Sequence, residues 1–363
     1  MSGPSPRPVI RVAGNHHDVG RQIGEACRDS LVRACTFSDE QLPPGRTMRD
    51  QLALGDRFRD VTVRHLPWVV TELDAAADAA GVDRRHLFAA SVEEIWPGRD
   101  TTARCPTPAH RGCTDIAAVV PATAGVPVLV AHNNDLPAVS QDDVVAVEWD
   151  VDGAPTVFSL GLGPWLSASW NSAGLSITGN ELAPNDDRVG IPRLLLMTAV
   201  ARATTFAEAA ALVDHPARAS SYNWLVADAH GQVSSFEGSA TAMAALGTDD
   251  RGVLHHENHY VAAEMRPFER SATHAARSAA RGDRVAALLQ DVSPGDVTPE
   301  LLRRVLADHE GAPESVCRHA AVPEDMQTVF WVVADPAGGE VHYGLGPPCS
   351  TDPHTYRFPR SEG

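Results

Sequence analysis

Apolar residues recur with the helical period up to about residue 96 and with short strand-like runs after residue 112, and this switch constrains the fold more than any other feature. In the first part, Val19, Ile23, Ala26, Cys27, Ser30 and Leu31 fall on one helical face, and a second stripe runs through Val69, Leu73, Ala76 and Ala80. Strand patterns are nearly absent there. Residues 97–112, rich in Thr, Pro, Arg and Gly, break the periodicity and read as an exposed connection.

Beyond it, β-type runs at 116–120, 126–131, 144–149, 156–160, 166–170 and 175–178 follow one another, punctuated by Gly, Pro, Asn and Asp. Helical patterns return at 192–203 and 205–213, and strands at 222–227 and 233–237. Helices then occupy roughly 267–289 and 298–308, and two closing strands, 328–334 and 340–344, flank a turn. Strands grouped with helical pairs between them predict an α+β fold in which antiparallel sheets carry helices on their outer faces. With 363 residues and 43% hydrophobic content, the chain has enough apolar material for a large core.

Charge and composition exclude several function classes. A net charge of -17 leaves no broad basic surface for phosphates, so no nucleic-acid partner is expected. Every basic side chain is Arg; without a lysine there is no Schiff-base, phosphate-loop or lysine-base chemistry. No stretch reads as a secretory leader or a membrane span, so a cytoplasmic protein with no membrane partner is expected. The six cysteines lack CxxC pairs, which suggests neither a disulfide framework nor a Cys-type zinc site, and most are expected to be reduced core residues.

The segment Gly112-Cys113-Thr114-Asp115 lies where the connection meets the first strand. A thiol needs a base to act as a nucleophile, and its own α-amine, with a pKa of about 8, can serve once it is freed. Attack of the Cys113 thiol on the Gly112 carbonyl converts the peptide to a thioester that water hydrolyses. A glycine before the bond admits the strained backbone such a step requires. Taken alone, a cysteine in this setting is more often structural.

Further motifs accompany it in order. Gly14-Asn15-His16-His17-Asp18-Val19-Gly20 with Gly24 precede it; Ala131-His132-Asn133-Asn134-Asp135 and Asn171-Ser172-Ala173-Gly174-Leu175 follow. Then come Ser220 to Asp228, His256-Glu257-Asn258-His259-Tyr260, Cys317-Arg318-His319 and Gly346-Pro347-Pro348-Cys349. Over nearly the whole chain the series resembles the isopenicillin N acyltransferase-like family of cysteine N-terminal nucleophile hydrolases.

The resemblance implies a four-layer αββα sandwich of two antiparallel sheets. It also implies self-cleavage into a mostly helical segment, 1–112, retained as a small subunit, and a catalytic core, 113–363. It makes Cys113 the nucleophile, Asp135 the partner of its freed ammonium, and Asn258 an amide donor to the oxyanion. Asn180, or the backbone near it, is a second donor; Thr114, His132 and Arg318 have supporting or substrate-binding roles. Two positions depart from the pattern: His132 stands where relatives in the wider superfamily carry Arg or Gln, and Ser172 replaces the usual Glu of the "NEAGL" turn. The expected activity is transfer of an acyl group from an N-acyl amide or acyl thioester, through a Cys113 thioester, to water or an amine. No cofactor or metal is expected, although acyl-coenzyme A is admissible as a co-substrate; the oligomeric state is not specified.

Simpler readings stand beside these. His255, His256 and His259 with Glu257 form the most metal-like cluster and define a metal-dependent hydrolase as the alternative. The spacing is not HExxH, and the flanking Val253, Leu254, Tyr260 and Val261 read as strand. A non-catalytic binding protein of the same fold is the other alternative. Asp135 and Asn258, without the resemblance, read as turn and loop residues. Arg266, Arg270, Arg277, Arg281 and Arg284 recur near helical spacing and read as a solvated face, with Arg270 able to reach a substrate.

Overall fold

A computed structural model describes residues 8–37, 42–96 and 112–358. The expected connection at 97–111 lies outside the described residues, and Gly112 already belongs to a strand rather than to it.

The N-terminal part is helical as expected: α1 (His16–Ala26), α2 (Arg28–Ala34), α3 (Met48–His65), α4 (Pro67–Ala80) and α5 (Arg84–Ala90). Asn15 caps α1 by accepting from the Asp18 N–H at 3.0 Å. The two glycines of its early motif have a packing reason: a Cβ on Gly20 would lie 2.3 Å from the Glu72 carbonyl oxygen, and one on Gly24 2.4 Å from that of Ala76. Helix α1 therefore crosses α4 backbone against backbone.

Strand β1 (Ile10–Gly14) precedes these helices and was not foreseen; it pairs parallel with β4 (Val144–Val151), the sole parallel ladder among the described strands. The eight-stranded sheet runs β1, β4, β5 (Val157–Leu162), β6 (Trp165–Asn171), β7 (Leu175–Asn180), β8 (Asn223–Asp228), β9 (Val233–Gly238) and β10 (Met243–Leu246). The six-stranded sheet runs β11 (Val253–His256), β2 (Gly112–Val119), β3 (Val128–Pro137), β12 (Met326–Asp335), β13 (Glu340–Gly344) and β14 (His354–Arg357).

The sheets face one another. Phe158 of β5 stacks on Tyr356 of β14 with ring centroids 4.1 Å apart, and one apolar core joins β4–β8 to β12–β14. Outside the six-stranded sheet, α8 (Ala272–Leu289) and α9 (Pro299–Leu306) bury Val285, Leu289, Leu302 and Val305 against Ile116, Leu129 and Trp331. Outside the other sheet lie the N-terminal helices with α6 (Arg193–Val200) and α7 (Phe206–Val213). This is the expected α+β, four-layer αββα arrangement. Among the described residues no helix is long and apolar enough to cross a membrane.

Candidate active site

The β2–β3 hairpin sets the site by register. Gly112 stands opposite Asp135, Cys113 opposite Asn134, and Asp115 opposite His132. Side chains alternate across a strand, so Cys113, Asn134, Asp115 and His132 share one face while Asp135 takes the other. On the far side of β2, His256 at the end of β11 pairs with Asp115, which carries Asn258 to the level of Cys113.

Cys113 is 3% exposed and lines a cavity. Leu136, Leu162, Trp165, Leu194 and Met197 make the wall apolar, and Tyr222, Glu93 and Glu181 bring polar groups to it. The thiol thus faces a partly apolar space between the two sheets. Burial, reinforced by the charges of Asp135 and Asp115, pushes the Cys113 thiol up to about 12. A neutral thiol needs a base before it can attack.

The Cys113 N–H donates to Asn258 Oδ1 at 2.7 Å, and Arg281 donates to the same oxygen. With two donors aimed at it, that atom must be the amide oxygen. Asn258 Nδ2 donates instead to the Glu181 carbonyl at 3.1 Å. The side chain expected as an oxyanion donor therefore presents an acceptor to the Cys113 nitrogen. Helix α8 supports this loop, since Ser278 Oγ accepts from the Asn258 N–H at 2.7 Å.

Asp135 is fully buried opposite Gly112; Thr328 Oγ1 donates to its Oδ1 at 2.7 Å, and Arg318 Nε lies 3.3 Å from its Oδ2. Burial raises its carboxyl pKa against the pull of Arg318 and Arg281. Gly112 is not in the left-handed region, so strain is not its reason for being glycine. Its reason is close approach to Asp135 and Arg318: a Cβ would meet Asp135 Oδ2 at 2.7 Å.

His132 belongs to a buried chain on the cavity side. Its Nδ1 donates to Asp115 Oδ1 at 2.7 Å, where Thr178 Oγ1 also donates at 2.6 Å. Its Nε2 lies 3.4 Å from Asn134 Nδ2, which lies 3.8 Å from Cys113 Sγ. The sequence reading missed Asn134 and Asp115, although both are legible once β2 and β3 are set in register, since they share the face of Cys113. It also assigned Arg281 to a solvated face. Arg281 is 3% exposed and donates to the Cys113 carbonyl at 3.2 Å. Several buried polar atoms here have no hydrogen-bond partner: Asp135 Oδ2, Asn134 Oδ1, Thr114 Oγ1 and Arg281 Nε.

Other expected residues lie elsewhere. Arg270 is exposed and pairs with Asp187 at 2.7 Å, away from the cavity. Asn180 spends both ends of its amide between the sheets, Nδ2 donating to the His256 carbonyl at 3.2 Å and Oδ1 accepting from Asn223 at 3.1 Å. The three histidines of the metal-hydrolase alternative do not converge: His255 pairs with Glu257, His256 with Glu237, and His259 with Ser278. Asn171 and Ser172 organise the β6–β7 turn, Asn171 Oδ1 accepting from Ala173 and Leu175 N–H and Ser172 Oγ from Thr156 N–H.

Comparison with solved structures finds conjugated bile acid hydrolase from Clostridium perfringens, at 13% identity and a TM-score of 0.44 over 68% of this chain and 97% of that one. A Caenorhabditis elegans ortholog of N-acylethanolamine-hydrolyzing acid amidase is likewise 13% identical, with a TM-score of 0.44 over 68% of this chain and 100% of that one. Penicillin V acylase from Agrobacterium tumefaciens, also 13% identical, aligns with a TM-score of 0.41 over 69% of this chain and 87% of that one. No curated protein matches the sequence. The family profile described as acyl-coenzyme A:6-aminopenicillanic acid acyl-transferase matches residues 124–349, beginning beyond Cys113. The chain belongs to the acyl-coenzyme A:6-aminopenicillanic acid acyl-transferase family.

Proposed function

We propose that this protein is an N-terminal nucleophile enzyme that cuts itself between Gly112 and Cys113 and then moves acyl groups from amides or thioesters to water or an amine. The observation that carries the reading is the setting of Cys113. Its sulfur opens onto the apolar-walled cavity, its nitrogen is held by Asn258 Oδ1, and the Asp135 carboxylate stands across from the bond to be cut.

In the intact chain the nitrogen of Cys113 is a peptide N–H and offers no base. Attack of sulfur on the Gly112 carbonyl breaks the C–N bond, forms a thioester and leaves the nitrogen as an amine. Water then releases the Gly112 carboxylate and restores the thiol. The new α-amine, with an ordinary pKa of about 8, takes the thiol proton that a buried thiol will not shed unaided. Asn258 Oδ1 orients it, and Asp135 with Arg318 and Arg281 sets the local charge.

In turnover the thiolate attacks the substrate carbonyl, and the leaving amine departs with the proton held by the α-ammonium. Asn134 Nδ2 is the side-chain amide directed at Cys113 Sγ, which suits it to the developing oxyanion better than Asn258 or Asn180. The apolar wall favours a small N-acyl compound whose acyl group is itself apolar. Water needs no dedicated acceptor site, which favours hydrolysis over transfer.

Intact-mass analysis tests the reading. Sharing 38.7 kDa over 112 and 251 residues gives fragments of about 12 and 27 kDa from the wild type, whereas Cys113→Ala stays whole. The mature enzyme should release acid from N-acyl amides, and acyl-coenzyme A with added amines should reveal any transfer. A wild-type chain that remains uncut yet turns over acyl amides would sink the free-amine mechanism.

A further inference from the structure

Away from the cavity, two loops bring four potential metal ligands together. The first follows α9 and carries His309, Cys317 and His319; the second joins β13 to β14 and carries Cys349. Their ligand atoms all lie within 4.8 Å of one another. His309 Nε2 is 3.1 Å from His319 Nε2, and Cys349 Sγ is 3.2 Å from the same nitrogen. Cys317 Sγ is 3.6 Å from His319 Nε2 and 3.7 Å from Cys349 Sγ.

These four separations, 3.1–3.7 Å, come close to the edges of a tetrahedron. Zinc binds sulfur at about 2.3 Å and imidazole nitrogen at about 2.0–2.1 Å, which places ligand atoms roughly 3.3–3.8 Å apart around a tetrahedral ion. A disulfide needs its sulfurs at about 2.05 Å. The two thiols and two imidazoles meet edge to edge instead, without a carboxylate among them. Each loop is tied down separately. The Cys317 N–H donates to the Asp308 carbonyl at 2.9 Å, and Arg303 donates to the carbonyls of Pro348 and Thr351 at 3.1 and 3.0 Å. Cys317 is buried while the other three ligands are exposed, which leaves an ion a way in.

We propose that His309, Cys317, His319 and Cys349 form a Cys₂His₂ zinc site whose role is structural. Four protein ligands fill a tetrahedral ion and leave no position for substrate. The ion clamps the two loops together, joining His309, Cys317 and His319 on one to Cys349 on the other, 30 residues beyond His319. It also brackets Arg318, whose guanidinium reaches Asp135, and so holds that arginine in place from outside the cavity. Nothing in this site depends on the chemistry assigned to Cys113.

Metal analysis of the full-length protein, purified without chelator, should find stoichiometric zinc, and removal should lower the thermal midpoint. Reduced, metal-free protein refilled with Co²⁺ should show thiolate-to-cobalt charge transfer and the intense d–d bands of a tetrahedral site. Cys349→Ser and His309→Gln, both at exposed positions, should weaken zinc binding at least tenfold in chelator competition. Cys113→Ala should keep the cobalt spectrum, which separates this site from the proposed nucleophile. The proposal is overturned if reduced wild-type protein takes up neither ion, or if Cys349→Ser and His309→Gln bind as the wild type does. It is equally overturned if peptide mapping of protein kept under reductant recovers Cys317 and Cys349 as a disulfide.

Discussion

A methyl group on Gly112 has no room: its Cβ would lie 2.7 Å from Asp135 Oδ2 and 2.9 Å from Arg318 Cζ. Something must shift, and overpacking of this kind costs about 1–3 kcal/mol. The groups that would have to move are those assigned to the freed amine. Gly112→Ala should therefore fold but cut itself at least tenfold more slowly, read by intact mass over time; cleavage at the wild-type rate would show that this contact does not matter. At this scale the sequence revealed types better than partners. Cys113 and Asp135 stand out because their order along the chain matches a pattern, and the hairpin register sets Asp135 opposite Gly112, next to Cys113. Arg281 was not, since regularly spaced arginines on a helix look solvated. The clue lay one turn further along α8, where Val285 and Leu289 mark the buried face that Arg281 and Ser278 continue.

The strands impose a second level of constraint, because polar links tie the two sheets together behind Cys113. Glu237 of β9 accepts from His256 Nε2 of β11 at 2.7 Å, with both side chains buried. Burial works to raise the Glu237 carboxyl, but the His256 hydrogen bond and charge, with the N–H groups of Val261 and Ala262, outweigh it and hold its pKa below the ordinary value. A depressed carboxyl stabilises the fold above its unfolded pKa of about 4.3, and that contribution is lost as pH falls through the folded value. Urea midpoints of the wild type should thus fall as pH drops below the unfolded value, and Glu237→Gln should be less stable at neutral pH with a flatter acid limb. Equal acid slopes in the two proteins would remove Glu237 from the account. Strand periodicity located most of these elements, yet β10 and β14 went unread, being four-residue edge strands with too few alternations to stand out. Pairing order was not legible either, because it depends on contacts far apart in sequence.

Over the whole molecule, the part before the proposed cut is built into the rest rather than appended to it. Strand β1 forms the edge of the eight-stranded sheet by pairing with β4, a partner more than a hundred residues away, which is why local periodicity gave no hint of it. The helices α1, α4 and α5 share one apolar core with both sheets. Glu93 holds Arg193 of α6 at 2.8 Å in a fully buried ion pair, and Ala90 and Glu93 line the cavity beside Cys113. Losing the N-terminal fragment would expose that core and take both Glu93 and Glu94 from Arg193; breaking a buried pair typically costs about 3–5 kcal/mol. The two products of self-cleavage should accordingly travel as one particle in gel filtration and separate only in denaturant. Activity on acyl amides should disappear when they separate, because Ala90 and Glu93 leave the cavity lining with the smaller piece and the shared core opens. A large fragment that stays folded and active alone would show that the first 112 residues serve folding and not the site.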